Sequence, residues 1–344
     1  AGYAGKILAN YFLLEKNIVV EALIVSPGHK EEEVYKTYDL NGNMVEIPIL
    51  EFTMGNYNDE KYSIYITLVN GKNDLLKRLE AYQNICTMQP LEWYEEKFFS
   101  KFFEIKNIDT TKEILEFNKL KLYNPIAHNE ELKRVFYETL GDELLPGIFN
   151  DYSLVVDGAY EYGNVFLSET DYVIDAGANI GLYSCYAADK GCTVYACEPG
   201  SKSIDILKQQ QKLYEDKINI IELGLSNSSG VADFYESDDC ALDSIYMPRG
   251  NTQKREIQIE TIDNLIASGV IKHVDYIKAD IEGAERYMLE GAKKTLERLA
   301  PKLSICTYHY KEDAVLLEKI IKDANPDYIV EHHWRKLYAY VPKK

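Results

Sequence analysis

Four side chains in the last quarter of the chain could move a proton or hold a cation: Asp280, Glu282 and Glu285 in the run ADIEGAE, and His309 at the end of PKLSICTYH. Residues 274–279 read as a buried strand, so Asp280 and Glu282 fall at its C-terminal end. Alternate residues of a strand point alike, which aims both carboxylates the same way. Glu285 falls on the first turn of a helix expected over 284–299, where an acid also complements the helix dipole. His309 closes a further strand, expected over 303–308. An imidazole beside two carboxylates suits a general base, since its ordinary pKa is near neutral and a carboxylate can fix its tautomer. The same acids, Asp280, Glu282 and Glu285, could instead hold a divalent metal, Mg²⁺ or Ca²⁺, that acidifies a bound hydroxyl. Histidine and metal both stay open, with His309 as base and Asp280 orienting it the preferred pairing.

A second group sits upstream, in VIDAGANIG at 173–181. Val173, Ile174 and Ala176 suit a buried parallel strand, and a helix is expected over 182–190. Gly177 and Gly181 would let the backbone approach a ligand, with free N–H groups of the helix behind them. A dinucleotide loop would place small residues where Asp175 and Asn179 stand; a carboxylate there repels phosphate and suits a cation. The next strand, 193–197, delivers Glu198, about twenty residues on, where an acid can bind both hydroxyls of a ribose. A cation joined to a ribose points to S-adenosylmethionine. The third strand, 218–223, would bring Gly224, Leu225 and Ser226 near the adenine, and Asp280 borders the same crevice.

VIDAGANIG, CEPG at 197–200, GLSNSSG at 224–230, VDYIKADIEGAERYMLEGA at 274–292 and PKLSICTYH at 301–309 together resemble the FkbM family of class I methyltransferases. The likeness covers residues 150–341 or so. It implies a Rossmann-like, seven-stranded α/β fold, dependence on S-adenosylmethionine and O-methylation of sugar hydroxyls.

The elements that must position these groups follow from the patterning. A class I domain is expected over 151–344, led in by a short hairpin in DGAYEYGNVFL; the resemblance implies that Tyr160 and Tyr162 border the site, and core or surface aromatics are the equal alternative. Its polar insertion, 236–255, carries Asp238, Asp239 and Asp243 and reads as a lid or a solvated loop. A helix over 311–324 and two antiparallel strands, 328–331 and 336–341, would flank the turn His332-His333-Trp334-Arg335. Residues 1–86 read as an accessory α/β unit, a partial Rossmann-like module that could be a degenerate nucleotide-binding domain, with a helix after GYAG, strands over 18–25, 45–52 and 63–69, and a helix over 73–86. Residues 87–150 read as a helical connector, with helices over 92–103, 110–118 and 129–140.

Composition narrows the function classes. A chain of 344 residues with 46% hydrophobic residues can bury the cores of two domains, and its net charge of -18 argues against a nucleic-acid partner. Six cysteines form no CxxC pair and read as reduced core thiols. No apolar run approaches a membrane span, and the chain reads as cytoplasmic. The expected activity is S-adenosylmethionine-dependent O-methylation of a hydroxyl on a saccharide or glycoconjugate precursor. Two rivals are a nicotinamide oxidoreductase, disfavoured by the missing second glycine of DAGANIG, and a catalytically silent sugar-nucleotide-binding or scaffold protein, disfavoured by the acidic cluster.

Overall fold

Runs such as YVIDA, TVYAC and YIKA are apolar on both faces, which suits central strands covered by helices on either side. The computed structural model describes residues 3–25, 33–38, 44–51, 64–65, 85–86, 97–101, 103–104, 108–117, 119–127, 129, 132–144, 158–214, 216–237, 243–246 and 252–342. It divides into two compact units, residues 1–109 with 151–156, and residues 110–150 with 157–344.

The first unit holds α1 (Tyr3–Lys16), β1 (Leu23–Val25), β2 (Val34–Tyr38) and β3 (Met44–Glu51), with the sheet order β1-β3-β2. Ala9, Tyr35, Ile47 and Ile49 form its core. The strand expected from residue 18 starts only at Leu23, since Ile18 and Val19 are exposed. A second pair joins β4 (Ile64–Tyr65) to β5 (Ile85–Cys86) in parallel. The helix expected over 73–86 therefore ends instead as a strand at 85–86, and the rest of it lies outside the described residues.

The second unit opens with a hairpin, β6 (Ile114–Phe117) and β7 (Leu120–Tyr123). A helix was expected over 110–118, but burial alternates residue by residue there, a period of two that fits a half-buried strand. Next come α2 (Lys133–Thr139) and a π-helical turn, Leu140–Leu144.

The main sheet follows from β8 (Tyr172–Ala176), α3 (Leu182–Asp189), β9 (Thr193–Cys197), α4 (Ser201–Leu213) and β10 (Ile218–Ile221). A side sheet is built from β11 (Gly224–Leu225), β12 (Gly230–Ser237) and β13 (Thr252–Glu260). The chain then returns through α5 (Ile262–Ala267), β14 (Tyr276–Ala279), α6 (Glu285–Glu290), α7 (Lys293–Arg298), β15 (Lys302–Cys306), α8 (Asp313–Ala324), β16 (Ile329–His333) and β17 (Lys336–Tyr340). The seven-stranded order is β10-β9-β8-β14-β15-β17-β16, with β17 antiparallel to both its neighbours. That is the mixed α/β, Rossmann-like class expected: strand order reverses across β8 and β14, and a ligand crevice opens at such a switch point. Ile174, Ile277, Leu303 and Leu337 pack under Met288, Leu296, Leu317 and Ile321 in the core of one face.

The helix expected over 284–299 is two helices, because a Cβ on Gly291 would stand 2.1 Å from the Ser226 carbonyl oxygen. The insertion is shorter than its sequence suggests, since β12 and β13 stay paired out to Ser237 and Thr252. Cys185, Cys192, Cys197 and Cys306 are buried free thiols. Among the described residues, no helix is long and apolar enough to cross a membrane.

Candidate active site

Strands β8, β9 and β14 end at one level, and the loops after them enclose a cavity of about 250 Å³. Gly177, Asn179, Glu198, Gly224, Leu225, Asp280 and Glu282 are among the residues that line it. Asp175, Gly181, Ser226, Glu285 and His309 lie outside its lining.

The turn after β8 takes its shape from Asp175 and Gly177. Asp175 is fully buried, its Oδ1 lies 3.1 Å from Lys278 Nζ, and its Oδ2 accepts a 2.6 Å hydrogen bond from the Ser184 hydroxyl. Its charge is answered inside the sheet, by a lysine paired with it in register across β8 and β14, and not by a cationic ligand as the sequence suggested. Lys278 Nζ also donates to the Gly177 carbonyl, at 2.8 Å. Gly177 has φ of +71°, and a Cβ there would lie 2.0 Å from the Asp280 carbonyl oxygen, so the loop crosses directly over the end of β14. Gly181 serves packing and not ligand approach, because its Cβ would meet Leu207 of α4 at 2.5 Å.

Glu198 ties two loops together. Its carboxylate accepts from the Asn179 amide at 2.9 Å and the Gly200 amide at 2.6 Å, and the Asn179 side chain accepts from Ser203 at 3.0 Å. Burial pushes Glu198 up to about 7, while the Gly200 and Asn179 N–H groups work against that rise. Asn179 holds φ of 47°, a left-handed conformation that asparagine tolerates. Leu223, Leu225, Phe234 and Ile245 add apolar side chains to the cavity lining.

Asp280 accepts from two tyrosines, Tyr160 at 3.1 Å and Tyr308 at 3.0 Å. Burial would raise its pKa, yet His309, Lys278, Lys336 and the Tyr308 hydroxyl hold it below the ordinary carboxylate range. Glu282 has φ of 51°, left-handed backbone that is strained for a residue with a Cβ; such strain gathers at functional sites.

His309 stands behind this pair. Its side chain is buried, with Nδ1 3.1 Å from Glu285 Oε1 and Nε2 3.4 Å from Glu282 Oε1 and 3.5 Å from Asp280 Oδ1. Burial alone would lower its pKa; Glu282, Glu285 and Asp280 reverse that and carry it up to about 11. With carboxylates facing both ring nitrogens, the charged imidazolium is favoured over the neutral ring. Donor atoms of Asp280, Glu285 and His309 lie within 4.8 Å of one another, a grouping that could hold a metal. Glu285 is further used by the Ile281 amide, which donates to it at 2.9 Å.

Several lining residues were not foreseen. Lys278 and Lys336, each with 2% of its surface exposed, and Tyr308 and Glu143 all face the cavity. A lysine inside an apolar strand, as in YIKA, was the available signal. Tyr160 lines the cavity as expected, and its carbonyl accepts from the Tyr276 hydroxyl. Tyr162 instead stacks on His333 at 4.3 Å, outside the lining, while Arg335 of the same turn lies 4.3 Å over the Tyr308 ring. From the insertion, Asp243, Ser244 and Ile245 line the cavity, and the Ser244 hydroxyl donates to the Glu282 carbonyl at 2.9 Å. Asp238 and Asp239 lie outside the described residues.

Comparison with known proteins adds a family. Residues 175–339 match the methyltransferase FkbM domain. The hexuronic acid methyltransferase AglP of Haloferax volcanii is 28% identical over 158 residues, which cover 45% of this chain and 63% of that protein's length. Methyltransferase sdnD of Sordaria araneosa is 21% identical over 208 residues, 51% of this chain and 80% of that one. A crystal structure of a methyltransferase FkbM from Methylobacillus flagellatus, 16% identical, covers 97% of this chain and 93% of its own with a TM-score of 0.42.

Proposed function

Because this chain belongs to the FkbM methyltransferases through residues 175–339, we propose that it transfers the methyl group of S-adenosylmethionine to a hydroxyl of a saccharide or glycoconjugate precursor. One observation carries the reading: a single cavity is lined by Glu198, by the apolar Leu223, Leu225, Phe234 and Ile245, and by Asp280 with Glu282. The apolar wall of Leu223, Leu225, Phe234 and Ile245 suits an adenine, and Glu198 suits the ribose diol. The sulfonium would then face Asp280, Glu282 and Tyr308. Carboxylates there stabilise a cation and accept a hydrogen bond from the acceptor hydroxyl.

The reaction needs little covalent help, since the sulfonium is already activated and an in-line approach does much of the work. The acceptor oxygen attacks the methyl carbon, the C–S bond breaks, and S-adenosylhomocysteine leaves. As the C–O bond forms, the oxygen becomes far more acidic than a carboxylic acid, so a weakly basic carboxylate suffices to take its proton. Asp280, held ionised by its tyrosines, lysines and His309, fills that role, with Glu282 beside it. His309 is a positioning residue that keeps three acids in one place. A saccharide acceptor is supported by the hexuronic acid substrate in the name of the 28%-identical relative.

Calorimetry with S-adenosylmethionine, NAD and nucleotide sugars tests the cofactor. Tight binding of the first alone is expected, and binding of NAD alone would refute the reading. Mixing the protein with methyl-labelled S-adenosylmethionine and a panel of uronic acids, neutral sugars and nucleotide sugars tests the acceptor. A labelled methyl ether is the expected product, and label on nitrogen or on a non-sugar acceptor would overturn the saccharide assignment.

A further inference from the structure

Around Asp280 the cavity wall carries charged groups that neither the adenosine nor the acceptor hydroxyl uses. Glu143, Lys278, Lys336 and Tyr160 line it, beside the turn that carries Gly177. We propose that this part of the wall binds the amino-acid group of S-adenosylmethionine, with Glu143 taking the ammonium and Lys336 together with Lys278 facing the carboxylate. The proposal rests on the cofactor reading above.

The first support is how Glu143 reaches the cavity. Val135, Thr139 and Glu143 all line it. On a plain α-helix the eighth residue on lies about 80° round from the first. The π-helical turn at Leu140–Leu144 is wider, and it keeps Glu143 on the face that Val135 and Thr139 share. Such turns occur often at functional sites. The second support is the state of the carboxylate. Its side chain is only 14% exposed, and its one ionic partner among the described residues is Lys278 Nζ at 3.8 Å, beyond hydrogen-bond reach. That ammonium is engaged more closely by Asp175 at 3.1 Å and by the Gly177 carbonyl at 2.8 Å. Burial pushes Glu143 up to about 7 despite Lys278, so an ammonium beside it would favour the ionised carboxylate.

The third support is complementarity. Lys336 lies buried over the Tyr160 ring, 4.2 Å from its centroid, and Lys278 lies 5.1 Å from the same ring. Two lysines and one glutamate match a zwitterion, whereas adenine and ribose fit the apolar residues and Glu198. Because Lys278 holds the Gly177 carbonyl, the acid beside it lies where a cofactor crossing the β8 turn would place its amino-acid end.

Calorimetry on the full chain with three probes tests this: S-adenosylhomocysteine, its deaminated analogue S-adenosyl-4-thiobutyrate, and 5′-methylthioadenosine, which lacks the amino-acid group. Glu143→Gln should weaken S-adenosylhomocysteine by about tenfold or more, the loss of a charge-assisted hydrogen bond. It should leave 5′-methylthioadenosine within about twofold, and in the variant removing the amine should cost nothing further. Lys336→Met should weaken S-adenosylhomocysteine and the deaminated analogue alike while sparing 5′-methylthioadenosine. Glu143→Gln that weakens all three probes equally would show a purely structural role and overturn the proposal. Unchanged S-adenosylhomocysteine affinity with lost turnover would make Glu143 a proton acceptor and overturn it too. Failure of the wild-type chain to bind any of the probes would sink the cofactor reading itself, a separate outcome.

Discussion

At His309, burial and charge pull in opposite directions, and the three carboxylates win. Removing the imidazolium would leave Asp280, Glu282 and Glu285 facing one another in a buried space, and breaking a buried ion pair from one side costs about 3–5 kcal/mol. We therefore expect His309→Ala to melt well below the wild type at neutral pH. A raised folded pKa contributes its full stabilisation below the unfolded value of 6.5, and that contribution shrinks steadily as pH climbs from 6.5 to about 11. The gap between wild type and variant should narrow as pH rises from 7 to 9, measured by chemical denaturation; a gap that stays constant across that range would show an ordinary histidine. Glu198→Ala should weaken S-adenosylhomocysteine by at least about tenfold in calorimetry. It should also lower stability, because the Asn179 and Gly200 amides both lean on that carboxylate. Unchanged affinity would remove Glu198 from the ribose. The acids at strand ends were legible because an apolar run followed by Asp or Glu announces itself locally. Lys278 was not, since its partner Asp175 lies on the neighbouring strand and is brought opposite it only by the register of the sheet.

At the scale of elements, the sheet and the loops at its switch point could be read from the apolar runs and the glycines behind them. The segment before them could not. Residues 114–123 mix Leu, Lys, Glu and Phe, which suit a helix, and their packing against α3 and α4 favours the hairpin. Gln210 of α4 accepts from the Tyr123 amide at 2.8 Å and donates to its carbonyl at 3.0 Å, and Tyr214 accepts from the Lys121 amide at 2.8 Å. The split between α6 and α7 was equally hidden, because Gly291 answers to Ser226, a residue far away in sequence. These contacts tie the hairpin to α4, and Val135, Thr139 and Glu143 add a wall to the cavity. A shortened chain beginning at Thr110 should bind S-adenosylhomocysteine about as well as the full chain, whereas one beginning at Gly158 should bind at least about tenfold more weakly or fail to fold. Equal binding by both would show that residues 110–157 contribute nothing to the site.

At the scale of the whole molecule, acidity and function meet in one pH dependence. The chain carries a net charge of -18, and Glu143, Glu198 and Asp243, which all line the cavity, are each pushed by burial up to about 7. Between their unfolded pKa values and about 7 the folded chain holds protons on these acids that the unfolded chain has released. Linkage then makes their contribution to stability fall as pH rises through that window and level off above it. Surface repulsion among excess carboxylates has the same sign, but it is screened by salt, whereas buried groups are screened much less. Melting curves of the ligand-free chain in about 0.5 M salt should therefore show a transition temperature that drops from pH 5 to pH 7 through these acids and goes on falling from pH 7.5 to 8.5 through His309. Saturating S-adenosylhomocysteine should flatten the drop, because a ribose hydroxyl on Glu198 and an ammonium on Glu143 favour the ionised acids. The stabilisation by ligand should accordingly grow with pH across the same window, and Glu143→Gln should remove part of that growth. A ligand-induced shift that is the same at pH 5.5 and pH 7.5 would mean that these acids do not change their charge when the cavity fills.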